Sequence, residues 1–223
     1  MTPASLYTFV HLADSAWVLP LAAGVWLVLV LQAQWRAAWR WPVAVVLAMA
    51  AIVAAKLAFD LFGVAMPRWQ LYNVSGHAMF AALLYPTLLG LIFSGLPGGW
   101  RWLGVALGVA LAAALAAALV WRLDHTLAET VLGAGVGFLA SAWVVGQRPQ
   151  CRWHWSLALL ALPLAGYLLW HQVYHPVHQS RHAIWAQVAQ WLQVEHRYTR
   201  RIVRDPATGV VSVTVRQVRL RRT

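Results

Sequence analysis

Hydrophobic positions dominate this chain, and polar ones fall mainly at the borders of long apolar runs. Six stretches are each close to the roughly 20 residues that carry a helix across a bilayer: 16–35, 42–64, 77–95, 102–121, 126–146 and 155–172. Before them, Leu6, Phe9, Val10 and Ala13 are spaced to share one helical face, which predicts an amphipathic lead-in over 1–15. After them the pattern changes. Ile184, Val188, Trp191, Leu192 and Glu195 recur at helical spacing with Trp185 alongside, a run too short to span, which predicts an interfacial helix. Arg201–Arg204 and Val210–Leu220 then flank Asp205-Pro206-Ala207-Thr208-Gly209; turn residues between β-branched runs predict a β-hairpin. The expected fold class is an all-α membrane protein. It is a six-transmembrane-helix bundle over 1–172 with a basic extramembrane tail over 173–223.

Composition agrees. The chain is 61% hydrophobic and only 10% charged, against roughly 25% charged in a soluble domain. The formal net charge is +11, carried by sixteen Arg and one Lys, nine of the Arg lying in the tail. Such a balance calls for a polyanion. With most of the chain in lipid, nucleic acid is set aside, and anionic headgroups or phosphorylated lipids are the expected partners. The tail is read either as an electrostatic anchor to anionic membrane lipids or as a recognition surface for a substrate headgroup or an envelope protein. Cys151 stands alone, so no internal disulfide is available. No Lys or Arg precedes Arg36, so the first apolar run lacks the basic flank of a secretory signal and is expected to be retained.

Charge also predicts sidedness. Arg36 and Arg40 in 36–41, Arg101 in 96–101, and Arg148 and Arg152 in 147–154 put five cations on one side; the opposite short loops hold Arg68 and Arg122. The five-cation side is expected to be cytoplasmic, in a bacterial inner membrane, with both termini external.

A few polar residues remain for chemistry, because ionisable groups inside a membrane are costly and default to function. Lys56 and Asp60 lie at i, i+4 in the second stretch. They make either a buried ion pair or, with Lys56 at the external end, a phosphate contact. Ser75-Gly76-His77 opens the third stretch. It is either a helix cap with an interfacial His or an anion site, where Gly admits close approach, helix-start amides bind phosphate and His77 donates a proton. His125 and Glu129 open the fifth at i, i+4, so a carboxylate can fix the imidazole tautomer and leave the other nitrogen to attack. Gly133 and Gly137 follow at four-residue spacing and read as close packing. Arg122 faces either phosphate or headgroups. His171, His175, His178 and His182 form a stripe at i, i+4, i+7 and i+11, interrupted by Pro176; a titratable interfacial surface is the expected reading, a zinc site the alternative.

Over residues 40–146 these features resemble the type 2 phosphatidic acid phosphatase superfamily of membrane phosphatases. Its motifs are K-x6-R-P, P-S-G-H and S-R-x5-H-x3-D. Here the second reads Val74-Ser75-Gly76-His77 and the third survives as His125-x3-Glu129, with Ala118 and Leu119 at the serine and arginine positions. The first is stretched, Arg68 following Lys56 by twelve residues. Arg122 is the candidate substitute for the missing arginine. The resemblance implies a lipid phosphate or pyrophosphate hydrolase with an external site and no cofactor or metal. His125 would be the nucleophile, Glu129 would orient it and His77 would protonate the leaving group. Lys56, Arg68, Arg122 and the Ser75-Gly76 segment would bind phosphoryl oxygens. Polyprenyl pyrophosphate, phosphatidic acid, phosphatidylglycerol phosphate and phosphorylated lipid A are the expected substrates. The alternatives are a lipid phosphotransferase and a non-catalytic member that binds phospholipid or a partner. In a catalytic bundle, deletion of 181–223 is expected to leave basal hydrolysis.

Overall fold

The fold is described from a computed structural model that covers residues 3–96, 99–152, 155, 191, 194 and 196–219. The elements are α1 (Pro3–His11), α2 (Ser15–Leu31), α3 (Trp35–Phe62), a 3-10 turn (Pro67–Trp69), α4 (Gly76–Ser94), α5 (Arg101–Trp121), α6 (Leu127–Val145), β1 (His196–Arg204) and β2 (Val211–Arg219). Among the described residues, α3 to α6 are long and apolar enough to cross a membrane. α2 is apolar but has only 17 residues. The predicted span over 155–172, the interfacial helix and the histidine stripe fall outside the described residues, Trp155, Trp191 and Val194 apart.

Two predicted boundaries shift. The first apolar stretch ends early, because Ala33 takes a left-handed φ of 53° and turns the chain. α3 begins at Trp35, so Arg36 and Arg40 lie on its first turns rather than in a loop. Pro42 reads as a helix start in the sequence, yet lies inside α3, where it removes one N–H donor. The Arg40 guanidinium lies over the Trp39 and Trp143 rings, at 5.7 and 5.3 Å from their centroids. Such stacking lets a charged head stay on a helix near the membrane edge.

α4 is the central helix. Of its apolar window 72% is buried, against 22% for α3, 33% for α5 and 39% for α6. Small residues let its neighbours come close. A Cβ on Gly104 or Gly108 of α5 would sit 2.3 Å from the Leu89 carbonyl oxygen or 2.4 Å from that of Tyr85. A Cβ on Gly133 or Gly137 of α6 would sit 2.2 Å from the Ser75 or Met79 oxygen. Gly133 and Gly137 therefore pack as their spacing predicts. Thr87 and Ser141 hydroxyls meet at 2.9 Å between α4 and α6. The Tyr85 hydroxyl donates to the Leu12 carbonyl at 2.6 Å, and Trp41 Nε1 donates to the Ala22 carbonyl at 2.7 Å. Val10 and Ala13 of the lead-in are buried, and Leu6 and Phe9 pack beside the core, as the shared face predicts.

The bundle has two distinct ends. At one, the Gln150 amide donates to Gln34 Oε1 at 2.9 Å, the Arg152 amide to Gln32 Oε1 at 3.0 Å, and the Cys151 amide to Ser94 Oγ at 2.7 Å. Arg101 donates to the Val145 carbonyl. Arg36, Arg40, Arg101, Arg148 and Arg152 thus gather at one end. Exposed Trp35, Trp39, Trp100 and Trp102 sit with them, and exposed Trp69 and Trp121 sit at the other end. Two aromatic belts are what a bilayer-spanning body presents at its interfaces.

The predicted hairpin is present: β1 and β2 pair antiparallel, with Arg200 opposite Val215 and Arg204 opposite Val211. Asp205 accepts from the Ala207 amide at 2.9 Å and the Thr208 hydroxyl at 2.7 Å, closing the turn. The hairpin is docked on the helices. Gly63 caps α3 with φ +67°, and a Cβ there would lie 2.9 Å from the Tyr198 ring. Arg197 bonds Asp60 at 3.0 Å.

Gly133→Ala is expected to lower stability by about 1–3 kcal/mol, since the added methyl meets backbone rather than a yielding side chain. Gly135→Ala, where a Cβ meets nothing within 4 Å, should be neutral or gain the roughly 0.5–1 kcal/mol by which alanine outperforms glycine in a helix. Thermal unfolding of the two variants in detergent checks the contrast.

Candidate active site

The two polar clusters share one end of the bundle because α6 lies against the start of α4. Ser75 caps α4: its side-chain oxygen accepts from the Ala78 amide at 3.3 Å. The Ser75 amide in turn donates to the Glu129 carbonyl at 3.0 Å, tying the two helix starts together directly. Ser75 is wholly buried, so its hydroxyl and amide serve the fold rather than an anion, a correction to its expected role. The preceding Val74 amide donates to Asn73 Oδ1 at 2.7 Å. A proline at position 74 would lack that donor. Gly76 opens the first turn, and a Cβ on it would come within 3.9 Å of Lys56 Nζ. Lys56 therefore stands beside the open amides of a helix start, the arrangement that receives an oxyanion.

Thr126 caps α6 and forms a capping box with Glu129, each accepting the other's amide at 3.3 Å. The Glu129 carboxylate is fully buried. One oxygen, Oε1, accepts from the Asn73 amide at 3.0 Å and from Arg200 Nε at 2.8 Å. The other, Oε2, accepts from the Thr126 amide, from Arg200 Nη2 and from His125 Nδ1, the last at 3.0 Å. Arg200 Nη2 is 3.0 Å from the same Nδ1. A lone pair on Nδ1 would face a carboxylate oxygen, whereas a hydrogen there bonds it and leaves Arg200 Nη2 to donate to Oε2, so the arrangement without facing lone pairs has both hydrogens on the carboxylate. Nδ1 is then the protonated nitrogen of His125, and Nε2 carries the lone pair.

His77 completes the pair, its ring centroid 6.4 Å from that of His125 and tilted by 57°. Behind it, Asp14 Oδ2 lies 3.9 Å from His77 Nε2. Asp14 is buried and caps α2, accepting from the Ala16 amide at 3.1 Å. Each histidine thus has its own carboxylate.

The expected ring of cations is redistributed. Arg122 pairs with Asp124 at 3.2 Å at the end of α5, and no described bond joins it to His125 or Glu129. Arg68 is exposed on the 3-10 turn, and among the described residues no hydrogen bond or ion pair links it to the histidines. Leu119 is buried with Val10, Ala78 and Ala118. Asp60 is met by Arg197. Among the described residues, the cation that bonds the His125–Glu129 pair is Arg200, 71 residues beyond Glu129 and on the hairpin. The tail is thereby part of the site, and its removal would strip Glu129 of its cation.

Sequence reasoning missed Arg200, Asp14 and Asn73. Thr126-x-x-Glu129 carries a capping-box signature that was open to reading. A carboxylate one turn into an apolar helix demands a cation, but nothing local names which arginine supplies it.

Burial pushes the His125 imidazole below its ordinary range; the hydrogen bond to Glu129 opposes this, and the Arg200 charge reinforces it. His125 is therefore neutral at neutral pH and suited to act as a nucleophile.

No family model matches the chain, and no solved structure matches it. A relative from Klebsiella pneumoniae, described as "Uncharacterized 22.5 kDa protein in cps region", is 31% identical over 130 residues. The match covers 58% of this chain and 62% of the relative, so the chain spans under two thirds of that protein's length. Fold and site together define a largely helical protein with, among the described residues, four helices capable of crossing a membrane and a histidine–carboxylate cluster at one end of them.

In an NMR titration, the His125 ring should change protonation below the ordinary histidine midpoint of about 6.5. Glu129→Gln should move that midpoint further down, because it removes the one charge here that favours the imidazolium.

Proposed function

We propose that the chain is an integral membrane phosphatase that hydrolyses a lipid phosphate or pyrophosphate monoester through a phosphohistidine. The observation that carries this reading is the His125 Nδ1–Glu129 bond of 3.0 Å with His77 facing it across 6.4 Å. A fixed tautomer leaves one nitrogen for attack, and a second imidazole stands ready for the leaving oxygen.

In the first step His125 Nε2 attacks phosphorus. The P–N bond forms as the bond to the leaving oxygen breaks, and that oxygen takes its electron pair together with a proton from His77. In the second step His77 takes a proton from water, whose oxygen attacks phosphorus. The P–N bond breaks, its electrons return to Nε2, and inorganic phosphate leaves. Throughout, Nδ1–H stays on Glu129, which offsets the positive charge of the phosphorylated ring. Lys56 and the Gly76 and His77 amides hold the phosphoryl oxygens, the positioning and charge stabilisation on which phosphoryl transfer mainly depends.

The five-arginine end is the cytoplasmic one under the positive-inside rule, so the site opens on the external face of a bacterial inner membrane. The buried Leu119 and the Arg122–Asp124 pair favour a second reading, a member that binds phospholipid without turning it over.

Purified protein should release phosphate from at least one of polyprenyl pyrophosphate, phosphatidic acid, phosphatidylglycerol phosphate and phosphorylated lipid A. His125→Ala should remove that activity, with a loss of at least a thousandfold, and His77→Ala should lower it by about 10²–10⁴-fold. Label appearing in a second lipid instead of inorganic phosphate identifies the phosphotransferase. An inert panel, with lipid still bound equally by wild type and His125→Ala, supports the binding reading and sinks hydrolysis.

A further inference from the structure

Glu129 presents a charge problem that the histidine pair does not solve. Its carboxylate is fully buried, and a buried carboxylate costs several kcal/mol unless a cation and hydrogen bonds meet it. If His125 were the only partner, the least costly state would transfer a proton to the imidazole, making an ion pair. An imidazolium has no lone pair and cannot attack phosphorus. The nucleophile would then be lost in the resting site.

Arg200 removes the conflict. Its Nε and Nη2 donate one to each oxygen of Glu129, the side-on bidentate geometry in which guanidinium and carboxylate match best. The arginine side chain is itself only 14% exposed, so little water screens the pair. Its position is on the Nδ1 side of His125, 3.0 Å from that atom, and hence behind the ring relative to Nε2. A residue there works on the nucleophile from the rear.

We propose that Arg200 is a positioning residue of this site: delivered by the C-terminal hairpin, it satisfies Glu129 so that His125 stays a neutral nucleophile. The inference deepens the phosphatase reading and rests on it for its catalytic meaning, while the control of His125 by Arg200 stands on geometry alone. The hairpin is held in place for this task by Arg197 on Asp60 and by the Tyr198 ring against Gly63. Among the described residues, the charged or titratable groups facing His125 are Glu129 from α6, Arg200 from β1 and His77 from α4, with Asp14 behind His77. Of these only Glu129 favours the imidazolium directly, and Arg200 is bonded to both of its oxygens. Burial of the ring and the Arg200 charge act in the same direction on His125.

The test uses the full chain in detergent with Arg200→Gln, which keeps donors but loses the charge, and Arg200→Lys, which keeps the charge. Arg201→Ala, an exposed neighbour on the same strand, is the control. Two readouts run across acidic to alkaline pH: NMR titration of His125, and kcat/KM for short-chain phosphatidic acid. R200Q should raise the His125 midpoint and move the acid limb of kcat/KM upward with it. On the acid side, activity should fall about tenfold for each pH unit by which the midpoint rises, recovering toward wild type at alkaline pH. R200K should lie nearer wild type, and R201A should match it. A wild-type midpoint in R200Q, or a loss of equal size at every pH, overturns the proposal in favour of a merely structural contact. Should the wild-type protein hydrolyse nothing in the lipid panel, the phosphatase reading fails, and the titration still decides what Arg200 does to His125.

Discussion

A carboxylate with no access to water organises this end of the molecule. Glu129 sits one turn into an apolar helix, and the donors that meet it come from three separate parts of the chain. Thr126 comes from the cap of its own helix and His125 from the residue before that cap, Asn73 from the connection before α4, and Arg200 from the hairpin. Burying the charge forces those three segments to converge, since an oxygen left without a partner would cost about as much as several good contacts contribute. The chemistry of the histidine follows from the same demand: the carboxylate fixes the tautomer, and the arginine holds the charge.

Convergence also needs the helices close, and glycine makes that possible. Gly133 and Gly137 place the backbone of α6 against the carbonyls of Ser75 and Met79, so the start of α4 and the start of α6 share hydrogen bonds instead of being separated by side chains. In a lipid solvent, where apolar surface gains little by leaving one hydrocarbon for another, such close backbone contact is a main source of helix association. The hydroxyl pair Thr87–Ser141 strengthens the same seam deeper in the bundle. Packing and site are thus consequences of one interface.

The basic tail takes on a different character once it is seen docked. Counted as charge, its arginines read as a surface for anionic headgroups. In the fold, Arg197 and Arg200 turn inward to single carboxylates, while Arg201, Arg204, Arg216 and Arg219 remain exposed along the hairpin. Net charge could not sort these residues, because two inward arginines and several outward ones contribute alike to a total.

Periodicity and length were enough to specify the long apolar helices, the lead-in face, the hairpin with its Asp205–Gly209 turn, and the pairing of His125 with Glu129 at i, i+4. These are local facts, set by the rise of a helix, the width of a bilayer and the preferences of turn residues. Helix starts were less legible, since Pro42 marks a beginning in the sequence and an interior position in α3. What tertiary structure alone decided was which distant groups meet. Arg200 met Glu129, Arg197 took Asp60, Asp14 came up behind His77, and Ser75 capped α4. The reason is physical: an ion pair depends on distance in space, and residues 71 positions apart become neighbours only when the intervening helices have packed.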